Sequence, residues 1–243
     1  MAKTIGSIIM MIFFCSAFAF GSADVIKTSA GPLEINCLGH ASLMFSFNNR
    51  IIHIDPSSRM ADYAGLPVAD LILVTHQHGD HLDAAAIKQI RKPETRILCS
   101  AGCLSDLPGA EAIGNGETRD IYGIHIMAVP AYNIVHKRKD GTPYHPKGEG
   151  NGYILAFGDT RVYIAGDTEN TLEMKALEQI SIAFLPINLP YTMDADMVVD
   201  AIKTMKPDVL YPYHFAFGAT DLDDLTTAMK AFPGTELRIR NKP

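Results

Sequence analysis

The amino-acid sequence predicts an α/β layered sandwich made of two similar halves. Short apolar runs of strand type recur in the same order in each half, and a polar tight turn takes the same place in both. Helical apolar periodicities fall between and after the strands, the pattern of helices layered on sheets.

In the first half, "LEINCLG" (33–39), "SLMFSF" (42–47), "RIIHID" (50–55) and "DLILVTH" (70–76) read as strands, with "NNR" as a hairpin turn between the second and third. In the second half "IHIMAVP" (124–130), "GYILAF" (152–157), "RVYIAGD" (161–167) and "SIAFLPI" (181–187) repeat the order, with "GDTR" in the hairpin place. "SLMFSFNNRIIHID" and "GYILAFGDTRVYIAGD" share one layout: apolar strand, polar turn, apolar strand, terminal Asp. This weak internal repeat points to two stacked sheets related by pseudo-symmetry. Asp83–Arg91 carries Ala85, Ile87 and Ile90 at helical spacing. Asp194–Lys206 places Met197, Val198, Ala201, Ile202 and Met205 on one face, with Thr192 as the expected N-cap. Asp221–Phe232 does the same with Leu222, Leu225, Ala228, Met229 and Phe232, and Pro207 and Pro233 stop the last two helices.

The length of 243 residues suits one domain. Residues 1–23 are expected to be a signal peptide: Lys3 precedes a run without charge from Ile5 to Phe20, then small residues, with cleavage after Ala19 or Ala23. The run is shorter than the roughly 20 apolar residues of a membrane span. No other segment is long and apolar enough, so no stable span is expected after processing. The expected mature domain, 24–243, loses only Lys3 and holds 20 basic against 27 acidic residues, a net charge of −7. A nucleic-acid partner, which calls for a basic footprint, is not expected. Three cysteines remain in it, Cys37, Cys99 and Cys103. An odd number argues against a full disulfide framework; Cys99 and Cys103 are either a pair or two buried thiols.

The chemistry concentrates in "THQHGDHL" (75–82), which holds His76, His78, Asp80 and His81. If His76 and His78 end a strand, its period of two sends both to one face. Asp80 and His81 then reach the same point from a turn permitted by Gly79, before a helix starting near Leu82. Imidazoles and a carboxylate at this spacing suit Zn²⁺ and, less selectively, Mn²⁺ or Fe²⁺.

With its H-x-H-x-D-H string after an apolar strand, the sequence resembles the metallo-β-lactamase superfamily over nearly the whole expected mature chain. "GHASLMF" through "RIIHIDP" is similar to that superfamily's opening strands, with Asp55 at its first motif position. "VYIAGDT" matches the segment that carries a bridging Asp, here Asp167, and "VLYPYHF" the last metal-ligand motif, here His214. The strings "LGHAS", "VPAYN", "HPKG", "AGDT" and "LPYTM" most resemble the branch that includes ascorbate-6-phosphate lactonases and related metal-dependent hydrolases. The resemblance implies a four-layer αβ/βα sandwich and a two-metal site, expected as two Zn²⁺ ions with Mn²⁺ or Fe²⁺ as alternatives. His76 and His78 would serve the first ion, Asp80, His81 and His214 the second, and Asp167 would bridge.

The superfamily's third histidine for the first ion should follow "IHIMAV", where this chain has Asn133. His145 in "PYHPKG" is the expected substitute, with His136 as a solvent-exposed loop residue. His40 in "GHAS" is expected to contact substrate or a ligand, while His53 and His125 are read as structural. Asn133 and Tyr191 are assigned to the substrate. The proton donor to the leaving group is open among His40, His145, Tyr191 and a metal-bound water.

The implied activity is that of an exported, periplasmic or secreted hydrolase. It would act on a small ester, lactone or phosphoester through metal-activated hydroxide, with Asp80 orienting the nucleophile. The run "HKRKD" (136–140) near the site favours an anionic substrate. A metal-retaining ligand-binding protein of the same fold and a β-lactam hydrolase are the alternative readings.

Overall fold

The computed structural model describes residues 23–215, 220 and 222–240. The expected leader, apart from Ala23, and the expected helix start at Asp221 lie outside the described residues.

Two seven-stranded sheets are formed in chain order by the described residues. The first holds β1 (Asp24–Thr28), β2 (Gly31–Gly39), β3 (Ser42–Phe47), β4 (Arg50–Ile54), β5 (Ala69–Val74), β6 (Arg91–Cys99) and β7 (Glu111–Ala112). The second holds β8 (Thr118–Ile121), β9 (Ile124–Ala131), β10 (Gly150–Phe157), β11 (Thr160–Ile164), β12 (Ile182–Pro186), β13 (Val209–Tyr213) and β14 (Glu236–Leu237). In each sheet the first four strands pair antiparallel and the remainder parallel, so the expected pseudo-repeat holds strand for strand. The hairpins fall at the two expected turns. Asn48 and Asn49 both adopt positive φ (48° and 59°), as the tight β3–β4 turn requires.

Strand alternation separates the layers. Leu43, Phe45 and Phe47 of β3 enter the core between the sheets, where they meet Tyr153, Leu155 and Phe157 of β10. Met44 faces the other way, into a second apolar layer with Ile72 and Val74 of β5 and helix α1 (Ala84–Ile90). On the far side, Ile154 and Leu185 pack with Val198, Ile202 and Met205 of α3 (Ala195–Met205) and Leu225 of α4 (Asp223–Met229). The order helix, sheet, sheet, helix is the expected αβ/βα sandwich.

Local details differ from expectation in three places. The cap of α3 is Asp194, whose side chain accepts from Met197 N, while Thr192 Oγ1 accepts from Asn188 N at 2.9 Å. β6 begins directly after α1; its charged start "RKPET" hides a strand that only "ILC" betrays. A short helix, α2 (Leu172–Lys175), follows the segment after β11. The three cysteines among the described residues, Cys37, Cys99 and Cys103, are free, the last two buried.

Parallel pairing determines where the chemistry lies. β4 and β5 run parallel, as do β11, β12 and β13, so the segments leaving their C-terminal ends emerge on one edge of the sandwich. Asp55, the His76–His81 segment, Asp167 and His214 all sit in such segments.

Candidate metal centre

β5 ends at Val74, so His76 and His78 lie in the loop beyond it, and strand alternation does not account for their proximity. The loop itself brings His76 Nε2 within 3.0 Å of His78 Nδ1. Gly79 is not at positive φ and a side chain there would meet open space, so the turn does not depend on it. Asp83 rather than Asp80 caps α1, through Ala85 N and Ala86 N, which leaves Asp80 free to face the histidines.

The expected residues gather into two groups of donor atoms: His76, His78, His145 and Asp167 in one, and His40, Asp80, His81 and His214 in the other. Asp167 joins them. Its Oδ2 lies 3.1 Å from His145 Nε2 and 3.9 Å from His76 Nε2, whereas its Oδ1 lies 3.2 Å from His81 Nε2 and 3.1 Å from His214 Nε2. Asp80 Oδ2 is 3.1 Å from His40 Nε2 and 3.6 Å from His214 Nε2.

Buried partners set the imidazole orientations. Asp55 takes His81 Nδ1 at 2.8 Å and is itself held by Thr75, through the backbone N at 2.7 Å and the hydroxyl at 2.8 Å. His81 is thereby fixed with Nε2 toward Asp167. Asn133 does the same for His145: its Oδ1 accepts from His145 Nδ1 at 2.7 Å and from His145 N at 2.8 Å. Asn133 Nδ2 donates to Glu169 Oε1 and to Tyr191 O, so every hydrogen-bonding site of this amide is used inside the protein. Assigned from sequence to the substrate, Asn133 instead stands behind His145, the nitrogen it was expected to yield its place to.

Glu169, two residues after Asp167, was not visible in the sequence as part of the site. It is fully buried and accepts from Ile134 N, Val135 N and His136 N, which clamps the loop that carries Asn133. Burial opposes its charge, yet these donors, Asn133 foremost, hold its pKa below the usual carboxylate value. No periodicity marks a buried Glu in a turn; only its nearness to Asp167 could have drawn attention. His136, expected to be free in solvent, is half-buried with Nδ1 2.8 Å from Glu169 Oε1. His53 Nε2 donates to Pro67 O away from the cluster, and His125 pairs on the surface with Asp120.

Backbone strain collects at the same place. His40, Asp55 and His214 adopt positive φ of 50°, 46° and 57°, a conformation that costs a non-glycine residue on the order of 1 kcal/mol and persists only where the surroundings impose it. His214 N donates to His40 O at 2.8 Å, tying two of these residues together. Gly166, at φ 67°, leads into Asp167, and a Cβ there would stand 2.6 Å from Asn151 O. Only glycine fits that turn.

The electrostatics show what the site can hold. Burial pushes the His76 pKa well below its ordinary value, and His81 beside it adds to the shift. Burial also works against a charged His81, but the carboxylates of Asp167 and Asp55 outweigh it and raise its pKa well above normal. Asp167 is held far down despite complete burial, chiefly by His214 and His81. Asp167 Oδ1 is buried with no donor aimed at it, although His81 Nε2, His214 Nε2 and Asp167 Oδ1 form a triangle with sides of 3.1, 3.1 and 3.2 Å. Donors about 2.0–2.1 Å from a tetrahedral ion are separated by roughly 3.3 Å, so such a triangle matches the face of a divalent-ion site. That triangle fits a divalent ion, and the donor atoms of the other group lie within 4.8 Å of one another.

A cleft of about 340 Å³ opens onto this edge, lined by His78, Asp80, His145, Asp167 and His214 and, on its outer side, by Arg138, Tyr144, Asn188 and Tyr191. The Tyr191 ring packs edge-on against Tyr144 with centroids 5.0 Å apart and is 46% exposed, which keeps it on the rim.

Comparison with known proteins agrees with this geometry. Residues 34–214 match the family described as Beta-lactamase superfamily domain. A UPF0173 metal-dependent hydrolase of Pyrococcus horikoshii is 32% identical over 199 residues, covering 75% of this chain and 84% of its own length. A structure from Parabacteroides distasonis, described as a metal-dependent hydrolase, superposes with a TM-score of 0.85 at 44% identity, covering 91% of this chain and 98% of the other. The metallo hydrolase Igni18 of Ignicoccus hospitalis, at 24% identity and TM-score 0.71, shares the fold over 86% of this chain and 95% of its own. The match over residues 34–214, the relatives and the paired His/Asp groups converge: the chain belongs to the metallo-β-lactamase superfamily, among the UPF0173 metal-dependent hydrolases.

Proposed function

We propose that the protein is an exported hydrolase that binds two divalent ions, zinc by the chemistry of its donors, and cleaves a small ester, lactone or phosphoester. The observation that carries this reading is Asp167, whose two oxygens each face a different group of imidazoles. His76, His78 and His145 would hold one ion and Asp80, His81 and His214 the other, with Asp167 between them. Imidazole and carboxylate donors favour zinc over calcium or magnesium, which take all-oxygen sites. The N-terminal run from Ile5 to Phe20 supports export.

Bound ions would supply Lewis acidity and a water with a pKa near 7. The chain's own residues do the rest. Asp55 and Asn133 keep His81 and His145 in the tautomer whose Nε2 faces the centre. His40 Nε2 holds Asp80 Oδ2, so this carboxylate, which lines the cleft, is fixed where it can orient a nucleophile. His145 has both ring nitrogens engaged, at Asn133 and at Asp167, which leaves His40, the rim hydroxyl of Tyr191 and a metal-bound water as the groups able to hold a proton for the leaving group.

The test is metal analysis of the purified protein combined with turnover on lactone, phosphodiester, ester and β-lactam panels. Two equivalents of metal per chain and chelator-sensitive hydrolysis are expected. A protein that retains no metal and regains none on dialysis against Zn²⁺, Mn²⁺ or Fe²⁺ would sink the reading.

A further inference from the structure

We infer that the cleft contains a second anion-binding subsite, centred on Arg138, and that the substrate carries a carboxylate or phosphate group apart from the bond that is cleaved. The inference rests on the hydrolytic reading above and names the substrate class for it.

Arg138 is the only arginine or lysine among the described residues that line the cleft. Its side chain is exposed, but its backbone position is fixed. Its backbone begins a tight hairpin: Arg138 N donates to Thr142 O at 2.7 Å, Gly141 N donates to Arg138 O at 3.0 Å, and Lys137 bridges Pro143. Gly141 stands at φ 87°, the left-handed turn position that glycine occupies without strain. The guanidinium lies over the Tyr144 ring, 5.1 Å from its centroid, with Nη2 3.4 Å from Tyr144 O. Stacking on one face leaves the planar edge, with its forked donors, open to a ligand.

Among the described residues Arg138 forms no ion pair. Asp140, the acid nearest in sequence, spends its Oδ1 on Thr142 N and Oγ1 and meets the Arg138 charge only from beyond ion-pair distance. Asp80 and Asp167, the carboxylates that line the same cleft, face the histidines, and Glu149 is an exposed residue of the adjoining pocket that forms no ion pair with Arg138. Lys147 is drawn away to Glu173 at 2.7 Å. A cation set over an aromatic face, outside any ion pair among the described residues, at the mouth of a concave site is an arrangement suited to a bidentate oxyanion. Beside it the Tyr144–Tyr191 pair offers an aromatic wall for the body of the same substrate.

The experiment compares two ligands of one backbone length, butyrate and succinate, which differ only in a terminal methyl or carboxylate. Calorimetric binding to the metal-loaded protein should favour succinate by about fivefold, the upper value of one ion pair at an exposed site. In Arg138→Gln that ratio should fall to near one, and Arg138→Lys should keep only part of it. Metal content measured alongside should match the wild type. Including 3-phosphonopropionate separates the two sources of charge: a preference for it over succinate, lost in Arg138→Gln, supports a phosphate-bearing substrate, and the reverse preference a carboxylate. Equal binding of butyrate and succinate by the wild type, or a preference untouched by Arg138→Gln, overturns the inference. If the preference holds but no ester, lactone or phosphoester is hydrolysed, the hydrolytic reading fails while the subsite stands.

Discussion

Asn133 shows how much a single uncharged side chain can decide. Its amide oxygen takes the Nδ1 proton of His145 and leaves Nε2 facing Asp167, while its nitrogen ties the same point to Glu169 and Tyr191 O. Partners of this kind are typically worth 10–100-fold in metal affinity. Asn133→Ala is therefore expected to weaken metal binding by about that factor in a competition titration with a chromophoric chelator, with the far-UV circular dichroism unchanged. An unaltered affinity would show that His145 is not a ligand. His78→Ala should lose one ion's worth of metal and the hydrolytic activity together. His125→Ala, on the exposed edge beside Asp120, should lose neither.

At the level of elements, the turns that end strands carry the heaviest constraints. Gly166 closes β11 at φ 67° with Asn151 O where a Cβ would stand. Gly166→Ala combines a left-handed penalty with a backbone clash, and should lower unfolding free energy by about 2–4 kcal/mol, measured by urea denaturation. Strand β4 carries a different constraint. His53 is buried within it, and burial lowers its pKa from the ordinary 6.5 to about 4, despite the hydrogen bond at Pro67 O. Above pH 6.5 the residue is neutral whether the chain is folded or not. As pH falls from 6.5 toward 4, the unfolded chain binds a proton that the folded chain refuses, so stability declines by about 1.4 kcal/mol per pH unit, roughly 3 kcal/mol in all. His53→Gln should show a shallower loss over that window; parallel curves would mean that His53 is protonated in the folded protein.

At the scale of the molecule, the site is a junction between the two halves. The first half provides His40, Asp55 and the His76–His81 segment, and the second provides His145, Asp167 and His214. Ions bound there would hold the halves together, since they bind the folded chain and not the unfolded one. Metal removal should lower the melting temperature and re-addition should restore it, with free ion at 1,000 times its dissociation constant adding about 4 kcal/mol per site. A melting curve indifferent to chelator would contradict the two-ion centre.

Much of this was legible in the residues. Alternating and continuous apolar runs report burial on one face or both, and burial follows from the hydrophobic effect whatever the distant partners are. The strands of the pseudo-repeat, the hairpin at Asn48 and Asn49, the helix faces and the His76–His81 cluster could therefore be read directly. β6 was hidden by its charged start, and the His76–His78 proximity was attributed to a strand that ends two residues earlier. Asn133 was marked as a site residue but given the wrong role, the basic run 136–140 hinted at an anionic ligand without singling out Arg138, and Glu169 was not legible at all. Each depends on a partner from another segment: Asn133 on His145, Glu169 on the backbone of residues 134–136, and Arg138 on Tyr144 and the cleft.

By itself, then, the sequence determined the layered sheets, the strand-end positions of Asp55, Asp167 and His214, and the identity of the metal-binding chemistry, because local periodicity and donor type are written residue by residue. Only the tertiary structure decided which nitrogen of each imidazole faces the centre and that His145 completes the first group. It likewise decided that Asn133 supports the site from behind and that an arginine outside any ion pair among the described residues guards the mouth. Hydrogen-bond direction, tautomer and the sign of the field in a cleft depend on atoms brought together from distant parts of the chain, and these exist only once the chain has folded.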